Sequence, residues 1–447
     1  MTPKKILFAS IAFDGHFNPL TGMAAHLKSL GYDVRWYTGN GYADKLRRLD
    51  IPHFPFRQAR EITGHNLHEV FPELTRIRSQ VGKLQFSMKH LFVGQTEDHF
   101  ADIQAIHRDF PFDVLVSDML FTASLLVKAR LNVTLVGVGI SPLSSTSVDL
   151  PPPGLGLPPA EGFVGRRKAA FLRFVTKNVI FREANRAYNE ILRRYGVAPV
   201  AGVFVDALIG RSDRYLQSGV PGFEYRRRDL GANIRFVGAL LPRSTRQAQP
   251  FRHEAKLKAY KKVILVTQGT AEPDMSKLVI PTLEAFKDSD YLVVATTAGS
   301  RTGELRDRYP QANLVIEDFV DFNYLMPYAD VYVTNGGYGG VMLALTHQLP
   351  VVAAGVHEAK NEITARVGYF KVGIDLKTER PAPGQVRQSV AAVLTDPTYR
   401  ENVTRLSKEL ARYDANALCA KYFAEVLGQP EAVAAPSGAI TQVAATQ

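Results

Sequence analysis

Short apolar blocks alternate along the chain with segments in which apolar residues recur every three or four positions. Residues 5–13, KILFASIAF, form a run of strand length. Asn18, a good N-cap, and Pro19, favoured at the first helical position, come next. Leu20, Met23, Ala24, Leu27 and Leu30 then mark one face of a helix, which Gly31 closes. Residues 32–38 return to strand. The pattern repeats at 113–117 (strand), 122–131 (helix) and 133–140 (strand). Strand–helix–strand is the unit of a parallel sheet. Residues 219–254 break the rhythm, being rich in Arg, Gly, Pro and Gln around one apolar run at 234–241. A second series starts at Lys261, with strands at 263–268, 291–297, 314–316, 331–334, 351–354 and 372–376. A last helix is expected at 415–427.

This rhythm predicts an α/β protein of two doubly wound, Rossmann-like domains facing across a cleft. The boundaries read 1–241 for the first domain, 242–258 for a linker and 259–427 for the second domain. Residues 428–447, rich in Ala, Gly, Pro, Thr and Gln, are expected to be disordered. Ligands of such sheets bind beyond the carboxyl ends of the strands, so the site belongs in the cleft.

Composition narrows the picture. With 46% hydrophobic and 22% charged residues, the 447-residue chain is an ordinary globular one. One cysteine, Cys419, cannot close an intrachain bridge. No apolar run reaches the roughly 18 residues of a membrane span, and the N-terminal run is too short for a secretory signal. A cytoplasmic location is expected. The net charge of +11 suits an anionic substrate. Its basic residues lie in small clusters such as 166–168 and 226–228. They read as solvated surface, without a nucleic-acid partner. Residues 163–188 form a basic amphipathic stretch, expected to dock as a surface helix in preference to touching a membrane.

The most informative segment is 331–340, VYVTNGGYGG. A strand ends at Thr334, four glycines follow within five residues, and an apolar helix begins near Gly340. Glycine lets backbone N–H groups approach a phosphate closely, and a helix N-terminus adds a favourable dipole. The segment is neither a dinucleotide fingerprint nor a P-loop. Thr267-Gln268-Gly269-Thr270, ending the first strand of the second series, is another place where backbone and hydroxyl can meet a phosphate.

Residues 317–330 (EDFVDFNYLMPYAD), the NGGYGG turn and residues 357–367 (HEAKNEITARV) together resemble the donor-binding motif of nucleotide-sugar-dependent glycosyltransferases of the GT-B fold. The similarity is greatest to enzymes that glycosylate small molecules such as macrolides and flavonoids, and it covers nearly the whole chain. It implies an acceptor-binding first domain and a donor-binding second domain. It also implies donor contacts from Gln268, Gly269 and Thr270, and from Phe319 and Val320 beside the base. Asn335, where the family usually has histidine, falls on the α-phosphate, and Gly337, Gly339 and Gly340 on the diphosphate. Family members often carry Ser or Thr at the position of Gly340, so one hydroxyl donor is missing.

Two departures bear on the donor. Leu343 stands where UDP-using members place a glutamate on the ribose hydroxyls. Leucine accepts no hydrogen bond, which favours a deoxyribose and hence a dTDP-sugar. Ala359-Lys360, preceded by Glu358, replaces the Asp-Gln pair that holds glucose hydroxyls. Glu358 can accept from the sugar and Lys360 can donate to sugar or phosphate. Family precedent for both changes points to dTDP-L-rhamnose, a rhamnosyltransferase donor.

In the first domain, Phe13-Asp14-Gly15-His16-Phe17-Asn18-Pro19 matches the catalytic loop of the family, with His16 as general base. Imidazole suits that role because it titrates near neutrality. Asp118 matches the aspartate that orients it, and Asp14 is a rival base. Direct displacement by the acceptor would invert the anomeric centre. No metal and no cofactor are expected. Asp288-Ser289-Asp290 reads as a solvated turn, and His65 and His68 have no carboxylate cluster to join. Residues 60–99 and 141–156 are expected to shape the pocket of a small aromatic acceptor, a flavonoid for preference. The competing functions are a UDP-glucose-dependent enzyme, a peripheral membrane enzyme with a lipid acceptor, and a non-catalytic auxiliary protein of the same fold.

Overall fold

The computed structural model describes residues 3–243, 251–270, 272–357 and 359–429. Seven parallel strands build the first sheet: β1 Lys5–Ala9, β2 Asp33–Thr38, β3 His53–Pro55, β4 Val114–Asp118, β5 Thr134–Gly139, β6 Arg214–Ser218 and β7 Ile234–Gly238. Their order is β3-β2-β1-β4-β5-β6-β7. The second sheet has six: β8 Lys262–Thr267, β9 Tyr291–Thr296, β10 Leu314–Glu317, β11 Val331–Thr334, β12 Val351–Ala353 and β13 Gly373–Asp375. Their order is β10-β9-β8-β11-β12-β13. Each sheet reverses its winding once, between β1 and β4 and between β8 and β11. Crevices open at such switch points because the flanking connections leave on opposite faces.

The strands read as apolar runs because both faces of each sheet are covered. In the second sheet alternate residues feed two separate cores. Val263, Leu265, Val294 and Tyr332 face one core, and Ile264, Val266, Val293 and Val333 face the other. Two boundaries differ from the sequence reading. Phe251 and Leu257, placed in the linker, are buried in the second domain's core, and Glu254–Ala259 is helical. The final helix, Ala415–Val426, was assigned to the second domain. Its Cys419, Ala420 and Phe423 instead join the core of the first sheet. Burying that apolar face outweighs proximity in sequence. Residues 244–250 of the linker and 430–447 of the tail lie outside the described residues.

The chain also turns helical earlier than expected after β1. Asp14–Phe17 is already a helical turn, followed by Asn18–Leu20 and then Thr21–Ser29. Asn18 is therefore not the N-cap; its side chain accepts from Lys45 Nζ at 3.4 Å.

Candidate active site

Phe319 and Val320 follow β10 and Lys360 follows β12, but the other described site residues lie on four segments at the carboxyl ends of strands that flank a switch point. These segments are the loop after β1, the end of β4, the loop after β8 and the turn and helix after β11. The topology thus gathers residues more than 300 positions apart.

His16 and Asp118 meet on the first domain. His16 Nδ1 lies 2.9 Å from Asp118 Oδ1. Asp118, the last residue of β4, is itself held: Ile11 N–H donates to Oδ2 at 3.1 Å and Leu120 N–H to Oδ1 at 2.9 Å. A buried carboxylate so fixed accepts a hydrogen bond from Nδ1–H and leaves Nε2 as the acceptor, the tautomer a general base needs. The helix after β4 begins only at Ser124, so Asp118 is not its N-cap.

Asp14, two residues before His16, is differently placed. It accepts from Lys45 Nζ at 2.9 Å, from Tyr42 at 3.4 Å and, across the cleft, from Thr270 Oγ1 at 3.2 Å. Burial works to raise its carboxyl, but the Lys45 ammonium and the two hydroxyls outweigh it and hold Asp14 below the usual carboxylate range. A carboxylate stabilised in this way is a poor proton acceptor. Lys45 has no motif, and only the fold brings it here.

Across from this pair, the second domain opens a cavity of about 250 Å³. Gly269, Thr270, Asn335, Gly337 and Gly340 line its floor, with Phe319 and Val320 at one end. The Phe319 ring is 60% exposed, a free apolar face of the size that stacks on a base. Gly337 precedes the helix Tyr338–Thr346, whose start carries no side-chain cap. Its first N–H groups are therefore open to an anion. A Cβ placed on Gly337 or Gly339 would meet nothing within 4 Å, so there is room above the helix start. Gly336 has φ +85, and a side chain there would strike Thr364.

Other expected donor residues fall elsewhere. The Gln268 side chain turns away: its Oε1 accepts from Leu278 and Val279 N–H at 2.8 and 2.9 Å, and its Nε2 donates to the Asp274 carbonyl at 2.9 Å. It braces the loop after β8, and its own carbonyl accepts from the Asn335 amide. Leu343 is buried in the second core and does not line the cavity. Gly339 and Lys360 do not line it either; Lys360 begins the helix Lys360–Tyr369, with its Cβ against Gly336 and Gly355. Glu358 lies outside the described residues. Asp288 and Asp290 are exposed in a turn, and His65 and His68 are exposed as well.

A charged cluster that no motif announced joins the two domains. Arg366, on the helix Lys360–Tyr369, is 2% exposed. It donates to Glu362 Oε2 and to Glu224 Oε2, each at 2.9 Å. Glu224 accepts from Leu143 N–H at 2.8 Å, and Glu362 Oε1 accepts from Gly154 and Gly156 N–H at 2.9 and 2.7 Å. Asn361 adds a bond to the Gly154 carbonyl at 2.7 Å. The loop after β5, expected to border the acceptor, is thus fastened to the donor domain beside Lys360. The i,i+4 spacing of Glu362 and Arg366 was visible in the sequence, but such a pair ordinarily reads as a surface ion pair.

Two parallel-sheet domains, with a carboxylate-paired histidine on one side of the cleft and an uncapped glycine-rich helix start on the other, have the GT-B architecture. The comparisons with known proteins agree. A family described as erythromycin biosynthesis protein CIII-like, C-terminal domain, matches residues 281–422. The chain is 34% identical to 4'-demethylrebeccamycin synthase of Lentzea aerocolonigenes, over 92% of this chain and 96% of that one. It is 30% identical to UDP-glycosyltransferase 2 of Phaeomoniella chlamydospora, over 92% and 93%. The solved structure of the calicheamicin glycosyltransferase superposes with a TM-score of 0.72 at 18% identity, over 96% of this chain and 99% of that one. The chain belongs to the family of nucleotide-sugar-dependent glycosyltransferases that modify small natural-product molecules. It is an enzyme of that family, which displaces the non-catalytic alternative.

Proposed function

We propose that this glycosyltransferase moves a deoxysugar from a dTDP-sugar, dTDP-L-rhamnose for preference, to a hydroxyl of a small aromatic acceptor such as a flavonoid. One observation carries the mechanistic part. The bond between Thr270 and Asp14 brings the donor loop against the loop that holds His16. An acceptor hydroxyl at His16 Nε2 then has its oxygen directed at the anomeric carbon of a sugar whose diphosphate rests on the 337–340 turn. His16 takes the proton, the acceptor oxygen bonds to the anomeric carbon, and the carbon–oxygen bond to the diphosphate breaks. Attack from the side opposite the leaving group inverts the centre. The helix N–H groups supply the charge stabilisation, and the proposal includes no metal. A cytoplasmic setting fits such chemistry.

The dTDP preference rests on the sequence match alone, which puts Leu343 where the resemblance implies a ribose-binding glutamate; its side chain is turned into the second core. The name of the Phaeomoniella relative makes UDP the competitor. In thermal unfolding at matched concentrations, dTDP is expected to raise the midpoint more than UDP, since a ligand of the native state stabilises it by mass action. A larger shift with UDP returns UDP-glucose to first place and leaves the His16 assignment standing.

A specific observation favours membrane contact as a second reading. The helix Gly162–Val175 was expected to dock, yet Ala169 is its one buried residue. Phe163, Phe171 and Phe174 are each more than 60% exposed, beside the exposed Arg166, Arg167 and Lys168. No helix among the described residues is long and apolar enough to cross a membrane. Aromatic and basic groups on one short helix suit an anionic interface. On this reading the protein floats with anionic vesicles, and a Phe163→Ser/Phe171→Ser/Phe174→Ser variant stays behind. Protein that remains at the bottom with anionic lipid removes the lipid-acceptor reading.

A further inference from the structure

Gly340, the last glycine of the turn, has no side chain, and the structure shows what occupies the space beside it. Tyr332 sits in the middle of β11, one strand turn before the glycine-rich segment. Its ring is buried on the face of the sheet that carries the helix Tyr338–Thr346. A Cβ added to Gly340 would lie 2.6 Å from the Tyr332 hydroxyl oxygen and 3.4 Å from Cζ. Serine therefore does not fit at 340 while tyrosine occupies 332. Tyr332 and Gly340 both line the cavity.

We propose that the Tyr332 hydroxyl donates a hydrogen bond to the diphosphate of the bound donor, replacing the hydroxyl that Gly340 lacks. This rests on the donor reading given above. Gly336 N–H donates to Thr334 Oγ1 at 3.2 Å. Thr334 lies close enough to Tyr332 to favour its ionised form. Burial is the larger effect and pushes the phenol up to about 12, so it stays protonated at neutral pH. Beside Gly340 at the cavity wall, the protonated phenol has a hydrogen to donate there. The Gly340 N–H and the Tyr332 O–H then converge on one anion.

Tyr332→Phe keeps the ring and removes only the donor. The full-length chain would be titrated calorimetrically with dTDP or UDP, whichever the wild type binds more tightly, and with the matching nucleoside. Tyr332→Phe is expected to weaken the diphosphate about tenfold or more, as for a bond to a charged group. The nucleoside is expected to stay within about twofold. Gly340→Ser alone is expected to weaken the diphosphate by crowding Tyr332. The double variant Tyr332→Phe/Gly340→Ser is expected to recover most of the loss, because the serine hydroxyl then has both room and a task. Equal diphosphate affinity for wild type and Tyr332→Phe overturns the inference. So does an equal loss for the nucleoside, which would put Tyr332 beside the base or sugar. A wild type that binds no nucleoside diphosphate overturns the donor reading itself, and this inference with it.

Discussion

Replacing His16 by alanine is expected to lower turnover by about 10²–10⁴-fold, the range that a positioned acid–base group contributes. Nucleoside diphosphate affinity should be unchanged, because His16 belongs to the first domain and the anion site to the second. The expectation follows from the order of contacts. Asp118 is buried and fixed by the Ile11 and Leu120 N–H groups, so its free capacity goes to His16 Nδ1. Asp118→Asn should act through His16: an amide facing Nδ1 can stabilise the wrong tautomer, so turnover falls while binding survives. Asp14→Ala is expected to behave differently. Its carboxylate is committed to Lys45, Tyr42 and Thr270, so its loss should loosen the contact between the domains and raise the KM for donor more than it lowers kcat. If Asp14→Ala abolished turnover while His16→Ala left it intact, the two roles would have to be exchanged. Single-turnover rates with saturating donor separate these cases.

What the sequence made legible follows from how parallel sheets are buried. Strands such as β8 and β11 lie between two cores and are apolar on both faces through their middle positions, so they stood out as runs. Two strands escaped. β3 is a three-residue edge strand ending in Pro55. β6, RYLQS, hides its polarity in the fold: the buried Gln217 amide donates to the Ser141 and Ser218 carbonyls at 2.7 and 2.8 Å. The site divides in the same way. The glycine turn stood out because a close backbone approach restricts which residues can stand there, whereas His16 was singled out by its place after the first strand and by the resemblance of its loop. Gln268 sits in the readable segment, yet its side chain serves the loop. Lys45, Tyr332 and Arg366 were silent, since each acquires its role from a partner in another segment. No spacing rule connects Arg366 with Glu224, 142 residues away. The final helix was misassigned for a related reason: its apolar face was evident, but not which of the two cores would bury it.

Arg366→Ala is expected to cost about 3–5 kcal/mol of stability, the scale for breaking a buried ion pair from one side. The guanidinium lies between two carboxylates and over the Tyr225 ring, 4.2 Å from its centroid. Burial works against its charge, but Glu224 and Glu362 outweigh that and raise it further above the usual arginine range. Removing it leaves two largely buried carboxylates facing each other without a counter-charge. Neutralising all three groups, as Arg366→Met/Glu224→Gln/Glu362→Gln, should recover much of the loss, because an uncharged set carries no unpaired ion. The functional consequence separates this cluster from an ordinary core contact. Glu362 holds Gly154 and Gly156 through the carboxylate oxygen that does not face Arg366. Glu362→Gln keeps a carbonyl acceptor for those N–H groups and should keep the loop in place. Glu362→Ala removes it, and amide exchange at residues 154–156 should accelerate by more than about tenfold, as for a backbone bond opened locally. Arg366→Ala should disturb that loop less than Glu362→Ala does, although it destabilises the chain more. If exchange at 154–156 instead tracked global stability across the three variants, the cluster would be a stabilising contact alone, with no separate hold on the acceptor side of the cleft.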